Sequence, residues 1–145
     1  MKTESKHIHF FTQDIDFTLK KKGLVREWMV STIQSEGFKK IQDLNIIFCS
    51  DEYLFQINVQ YLNHHTYTDI ITFDNSEKND TICGDIFISI DRIKENSQSY
   101  GTGMKDELDR VIIHGVLHLC GYKDKGSENK KEMTAKENHY LSQRP

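Results

Sequence analysis

The chain has 145 residues, with 19 Lys and Arg against 22 Asp and Glu, so its formal net charge at pH 7 is −3. This length suits one compact domain, and we expect residues 1–145 to form it. The slightly negative charge argues against a nucleic-acid binder that works by bulk charge alone, and the sequence has neither an apolar run of membrane-spanning length nor a cleavable N-terminal signal. We therefore expect a cytoplasmic protein without a membrane span.

The first half of the chain alternates between strand and helix patterns. Residues 7–12 (HIHFFT) favour a strand, and apolar residues recur every three to four positions from Leu24 to Ile33, which predicts a helix ended by Gly37. Residues 44–49 (LNIIFC) form a continuous apolar run that is typical of a buried strand. Ser50 and Asp51 can cap a helix over residues 52–62.

The second half predicts a hairpin and three helices. Residues 69–73 (DIITF) and 85–90 (DIFISI) have strand patterns, and the polar residues 75–80 between them suit a loop. A polar helix is expected from Asp91 to about Gly101 or Gly103, a central apolar helix over residues 106–120, and a charged surface helix over residues 127–141 with Ser127 as its N-cap. The predicted fold class is α/β, one compact domain with a small mixed four-stranded sheet.

His114 and His118 lie four residues apart in the predicted central helix. With about 3.6 residues per turn, both imidazoles leave the same face and converge on one point. One divalent ion at about 2.0–2.1 Å from each nitrogen fits this spacing. The pair alone is a weak signal, since helix-face histidines are also ordinary core or surface residues.

The residues after His118 strengthen the prediction of a metal site. Gly121 can take a positive φ and end the helix sharply, so that the chain doubles back and makes Asp124 available as a third ligand. The pattern H-x-x-x-H-x-x-G-x-x-[H or D] also occurs in zinc proteases. Asp124 has a simpler interpretation as a turn residue between two lysines, but the two histidines and the glycine favour ligation.

Three protein ligands leave a fourth position for water, which distinguishes catalytic zinc sites from closed structural ones. Water bound there would have its pKa lowered toward ~7 and could attack an ester or a phosphodiester. Proteases with this spacing carry a general-base Glu directly after the first His, and Gly115 occupies that position here, so a peptidase is unfavoured.

The three cysteines, Cys49, Cys83 and Cys120, form no CxxC pair and predict neither a disulfide framework nor a cysteine zinc site. We interpret them as small buried thiols. Cys120 could in principle be a fourth metal ligand, but it lies about 200° around the helix from His118.

Lysines form two clusters, Lys20 to Lys22 and Lys123, Lys125, Lys130 and Lys131. The first is interpreted as solvated surface, and the second, beside the predicted metal site, is either surface or a phosphate contact.

The stretch HGVLHLCGYKD resembles the signature H-G-x-L-H-L-x-G-Y-D-H of the YbeY-type endoribonucleases, which are bacterial rRNA maturation factors. The resemblance covers about residues 43–141. The positions that match within this motif are His114, Gly115, Leu117, His118, Leu119, Gly121 and Tyr122. Those that match family segments elsewhere are Leu62, Asn63, Thr68, Asp69, Phe73, Gly84, Asp85, Ile86, Met133 and Glu137.

This resemblance implies a single α/β domain that holds one Zn²⁺ ion and cleaves RNA during ribosomal RNA maturation and ribosome quality control. Its expected partners are ribosomal RNA and the ribosomal subunit, with no DNA and no membrane. Lys123 and Lys125 could contact phosphate. Two imidazoles and a carboxylate suit zinc best, although iron, nickel or manganese would also accept them.

Two departures from the family pattern stand out. The family's third histidine aligns with Asp124, so the ligand type changes while its place does not. The family also usually carries an arginine a few residues after L-N, which the segment LNHHTYTD lacks. His64, His65 or Tyr67 could take over part of its role, or the histidines could be ordinary exposed loop residues.

Two alternatives remain at this stage. The lost arginine and the negative net charge would also suit a non-enzymatic ribosome-assembly protein whose metal stabilises the fold. A metallopeptidase rests on ligand spacing alone and is weakened by Gly115.

The Asp124 carboxylate makes the ligand set less positive than three histidines would. Replacing it in Asp124→His should therefore make bound water more acidic and shift the rising limb of the pH–rate profile to lower pH. Rates of RNA cleavage across a pH series test this, and coincident profiles for the parent and the variant would contradict it.

Overall fold

A computed structural model describes residues 2–145, with side chains from Glu4 onward. The described chain contains six helices and four strands, which alternate as far as β3. In order they are α1 (Lys2–Ser5), β1 (Ile8–Gln13), α2 (Lys22–Ser35), β2 (Lys40–Cys49), α3 (Asp51–Leu62), β3 (Ile70–Asp74), β4 (Thr81–Ser89), α4 (Ile90–Tyr100), α5 (Met104–Leu119) and α6 (Ser127–Leu141).

The four strands form one mixed sheet in the order β1-β2-β4-β3. β1, β2 and β4 run parallel, while β3 pairs antiparallel with β4 across the loop 75–80. The register places Ile46 opposite Ile86 and Ile70 opposite Ile88. The mixed four-stranded sheet and the hairpin are thus confirmed.

Helices cover both faces of the sheet because the buried strands are apolar on both sides. Ile86 and Ile88 of β4 belong to the main core with residues of α2, α5 and α6. Phe87, between them, points to a smaller cluster built around Leu54 of α3 and Ile71 of β3. α5 lies inside the main core, which explains why its sequence is apolar around most of its circumference.

Element boundaries depart from the sequence prediction where pairing reaches into polar residues. β2 and β4 each begin four residues before the predicted start, at Lys40 and Thr81, which are partners in the parallel ladder. A register irregularity between Ile41 and Asp43 lets this pairing continue. α5 also begins two residues early, at Met104.

Helix caps are partly as predicted. The Ser50 hydroxyl accepts the Tyr53 N–H at 3.1 Å, which confirms the cap of α3. The prediction of Ser127 as the N-cap of α6 is wrong, because Gly126 occupies that position and its carbonyl oxygen accepts the Lys130 N–H at 3.0 Å. Ser127 is instead the first helical residue.

Within residues 2–145, none of the helices is both long and apolar enough to cross a membrane.

Gly84 lies where β4 runs against β3 and α5. A Cβ there would clash with the backbone carbonyl oxygen of Phe73 and lie 3.1 Å from a methyl of Leu119. Gly84→Ala should therefore lower the free energy of unfolding by about 1–3 kcal/mol through overpacking. Gly23→Ala is the matched control, because a Cβ at Gly23 meets open space among the described residues, and chemical denaturation that gives equal midpoints for both variants would contradict the expectation.

Candidate metal centre

The C-terminus of α5 is closed by a hydrogen-bonded turn. Gly121 has φ +106, and its N–H bonds the His118 carbonyl oxygen while the Tyr122 N–H bonds the Leu117 carbonyl oxygen, both at 3.0 Å. This is a Schellman motif, which requires the left-handed conformation that glycine adopts without strain. The chain reverses here as predicted and brings Asp124 back over the last turn of the helix.

Three side-chain atoms meet at this reversal. The Nε2 atoms of His114 and His118 lie 3.0 Å apart. One carboxylate oxygen of Asp124 lies 3.2 Å from His114 Nε2 and 3.3 Å from His118 Nε2. These three residues form a group that could hold a metal ion.

The spacing of the three atoms suits a small divalent ion. Ligand atoms at about 2.0–2.1 Å from a tetrahedral zinc ion are about 3.3 Å from one another. The separations of 3.0, 3.2 and 3.3 Å in this group come close to that value. Such an ion would contact three protein atoms and keep one position for a further ligand.

The hydrogen bonds of the two Nδ1 atoms determine that the Nε2 atoms of His114 and His118 face the group of three side chains. His114 Nδ1 lies 2.7 Å from a Glu137 carboxylate oxygen, and His118 Nδ1 lies 3.0 Å from the Tyr122 carbonyl oxygen. Because both partners are acceptors, both Nδ1 atoms carry the proton when the rings are neutral. Both Nε2 atoms then present lone pairs to each other and to the Asp124 carboxylate, an arrangement that a cation stabilises.

The charged neighbours of His114 and Asp124 shift the pKa values of these two groups in opposite directions. Burial alone would lower the pKa of His114, but the hydrogen bond and charge of Glu137 and the charges of Asp124 and Asp69 raise it overall. Burial acts to raise the pKa of Asp124, and the two histidines outweigh it and hold that pKa below its usual value. The Asp124 carboxylate is therefore stabilised by positive charge next to it. Either a proton on a histidine or a metal ion between the three side chains would supply that charge.

Glu137 is a buried carboxylate with two partners. Its side chain is 9% exposed, and Arg110 donates to its second oxygen at 2.7 Å. Burial would raise the pKa of Glu137, whereas the hydrogen bonds from His114 and Arg110 lower it, so it stays ionised. A histidine whose Nδ1–H is held by a carboxylate is oriented and made more basic toward a metal.

Sequence reasoning did not assign this role to Glu137. Its match to the family segment was noticed, but spacing along the chain does not reveal a contact with a helix 23 residues away. The signal available in the sequence is the helical spacing of Met133, Glu137 and Tyr140, which places them on one face of α6. The structure shows that all three are buried. A charged residue among buried positions of a helix requires a partner.

Gly115 permits close packing of α5 on the sheet. A Cβ at this position would lie 2.9 Å from side-chain methyls of Ile70 and Ile86. The position that carries the general-base Glu in zinc proteases thus faces the core here, and a larger side chain has no room.

The cysteines lie outside the group of three. Cys49 is fully buried, which confirms the prediction of a buried thiol there, whereas Cys83 and Cys120 are partly buried. Cys120 is the C-cap of α5, and burial, with the nearby charges of Glu36 and Asp74, raises its pKa to about 12. The protonated thiol is a poor metal ligand.

The lysines and loop histidines named from the sequence are exposed. Lys123 and Lys125 flank Asp124 in the loop that follows α5, while Lys130 and Lys131 lie in α6. His64 and His65 are exposed in the loop between α3 and β3. Tyr67 in that loop is stacked on Phe55 at 4.6 Å between ring centroids, and its hydroxyl donates to Glu52 at 3.3 Å.

Comparison with known proteins decides the family. The family model described as endoribonuclease YbeY matches residues 7–144. The chain belongs to the YbeY endoribonuclease family.

Similar curated members of the YbeY family include the protein named endoribonuclease YbeY from Cytophaga hutchinsonii, which is 51% identical over 144 residues and covers 99% of each chain. The protein of the same name from Christiangramia forsetii is 47% identical over 139 residues, which is 96% of this chain and 95% of the relative. A solution structure from Thermotoga maritima is 27% identical, with a TM-score of 0.64, and the match covers 92% of this chain and 86% of that one.

The contact between Glu137 and His114 can be tested by metal affinity. Glu137→Gln removes the charge that orients the His114 ring and should weaken Zn²⁺ binding by about 10- to 100-fold. Glu132→Gln, on the exposed side of the same helix, is the control and should bind like the parent. Equal dissociation constants for the parent and Glu137→Gln, measured by chelator competition, would contradict the assignment.

Proposed function

We propose that this chain is a metal-dependent endoribonuclease of ribosomal RNA maturation and ribosome quality control, with one Zn²⁺ held by His114, His118 and Asp124. The observation that carries the proposal is the convergence of two imidazole lone pairs and a carboxylate oxygen within 3.3 Å of one another. Relatives that carry the name endoribonuclease align with nearly the whole chain, which supports RNA as the substrate.

The ion would supply Lewis acidity and an activated oxygen nucleophile for phosphodiester cleavage. The protein's own part is to hold the ligands still. Glu137 and the Tyr122 carbonyl fix the two rings with their Nε2 atoms inward, and Asp124 adds a negative charge from the more open side. The Asp124 side chain is 41% exposed against 19% for His114, so substrate would approach over Asp124.

Lys123 and Lys125 would bind RNA phosphates. They are exposed and lie on either side of Asp124 in the chain, so their ammonium groups can reach a backbone that crosses the metal centre. A chain with net charge −3 depends on such local positive charge to attract a polyanion.

The loop 63–69, which is exposed from Asn63 to Tyr67, would form another part of the RNA path. Ile70, directly after this loop, lies against Gly115 and thus beside His114. His64 and His65 in the loop would partly replace the family's missing arginine as hydrogen-bond donors to phosphate. The proposal includes the ribosomal subunit as the partner that presents the RNA, and the cytoplasm as the compartment.

A second candidate is a ribosome-assembly protein whose metal stabilises the fold without cleavage. The specific observation in its favour is the absence of an arginine from the segment LNHHTYTD. Under this alternative, chelation would lower the melting temperature and leave RNA binding unchanged, and RNA would stay intact under all conditions. A peptidase is disfavoured by the tight packing around Gly115.

The test combines metal content with RNA cleavage. The parent, purified without a metal-binding tag, should contain about one zinc per chain, and His118→Ala and Asp124→Ala should contain far less because each loses one of three ligands. Cleavage of a structured ribosomal RNA fragment should disappear in both variants and in the chelated parent. Cleavage that survives in both variants with chelator present would reveal a contaminant and exclude the proposed nuclease.

A further inference from the structure

The carboxylate of Glu36 joins three separate parts of the chain. Glu36 is the C-cap of α2, and its side chain is 9% exposed. One oxygen accepts the Tyr122 hydroxyl at 2.6 Å. The other accepts the Tyr140 hydroxyl and the Lys136 ammonium group, the latter at 3.2 Å. The two tyrosines and the lysine belong to the loop after α5 and to α6.

Tyr122 connects this cluster to the metal centre. Its hydroxyl is bound to Glu36, while its backbone carbonyl oxygen accepts the Nδ1–H of His118 at 3.0 Å. Lys136 also lies 5.6 Å from the centroid of the Tyr122 ring. Tyr122 directly follows Gly121, so the hydrogen bonds of the turn set the course of its backbone. The side-chain anchor on Glu36 adds a second restraint on the direction of the Tyr122 carbonyl group.

We propose that Glu36 is a positioning residue for the metal centre, which holds Tyr122 so that the Tyr122 carbonyl orients the His118 ring toward the ion. This inference rests on the proposed metal site. It assigns a role in metal affinity to a residue 82 positions before His118 that does not touch any of the three ligands.

The choice of a carboxylate fits this role. An ionised carboxylate has two oxygens that accept several donors at once, whereas an amide offers a single acceptor atom. Burial would raise the pKa of Glu36, but the hydrogen bonds from Tyr122, Tyr140 and Lys136 lower it, so the group stays charged.

A purely structural role is the competing interpretation. The same cluster joins α2 to α6, where the Trp28 indole N–H also donates to the Tyr140 carbonyl oxygen at 2.8 Å. The two tyrosines separate the interpretations, because each gives one hydroxyl to Glu36 and only Tyr122 contacts a proposed metal ligand.

The experiment compares the parent with Tyr122→Phe, Tyr140→Phe and Glu36→Gln. Each tyrosine variant removes one hydroxyl from the same carboxylate, so Tyr140→Phe is a matched control. We expect the Zn²⁺ dissociation constant, measured by chelator competition, to rise about 10-fold in Tyr122→Phe and Glu36→Gln and to stay within about two-fold of the parent in Tyr140→Phe. Visible absorption of the Co²⁺-loaded proteins should change in the first two variants alone.

Thermal midpoints of the metal-free proteins show whether each variant is folded, and the tyrosine pair keeps the test valid if Glu36→Gln does not fold. Equal weakening in Tyr122→Phe and Tyr140→Phe, or unchanged affinity in Tyr122→Phe, would overturn the positioning role while leaving the metal site intact. A folded parent that binds no Zn²⁺ would overturn the metal centre itself and this inference with it.

Discussion

The reversal of the chain at Gly121 is the constraint on which the site depends. The turn gives the last carbonyl groups of α5 their hydrogen bonds and places Asp124 against two histidines one helical turn apart. It also directs the Tyr122 carbonyl at His118 Nδ1. Any residue with a Cβ would have to adopt φ +106 here at a steric cost. This one glycine therefore determines the positions of both the proposed ligand Asp124 and the Tyr122 carbonyl group that holds the His118 ring.

The site also imposes a cost on the core that other residues offset. Glu137 is an ionised side chain that is 9% exposed, and burying such a charge without partners is strongly unfavourable. Arg110 and His114 each donate to one of its oxygens at 2.7 Å. The helices α5 and α6 are therefore joined by the hydrogen bonds of Arg110 and His114 to Glu137. These bonds constrain distance and direction, whereas the apolar contacts around them do not.

Sequence reasoning recovered the parts of this structure that depend on local pattern. The α/β class and the mixed sheet follow from the periodicity of apolar residues. The convergence of His114, His118 and Asp124 follows from the spacing of the two histidines in one helix and the glycine after them. Residues that act across long sequence separations were not recovered, because Glu137 and Glu36 reach the site only through tertiary packing of α6 and α2. Backbone groups such as the Tyr122 carbonyl carry no signal of their own in a sequence.

The two departures from the family pattern act on charge in opposite directions. Aspartate in place of the family's third histidine makes the proposed ligand set one unit more negative, and the missing arginine removes a positive group from the loop 63–69. Both changes weaken attraction for a polyanion at the centre. Lys123 and Lys125, which border Asp124 directly, restore positive charge where the carboxylate reduces it. Under the proposed function, phosphate attraction would move from the loop before β3 to the loop after α5, next to the proposed ligand Asp124.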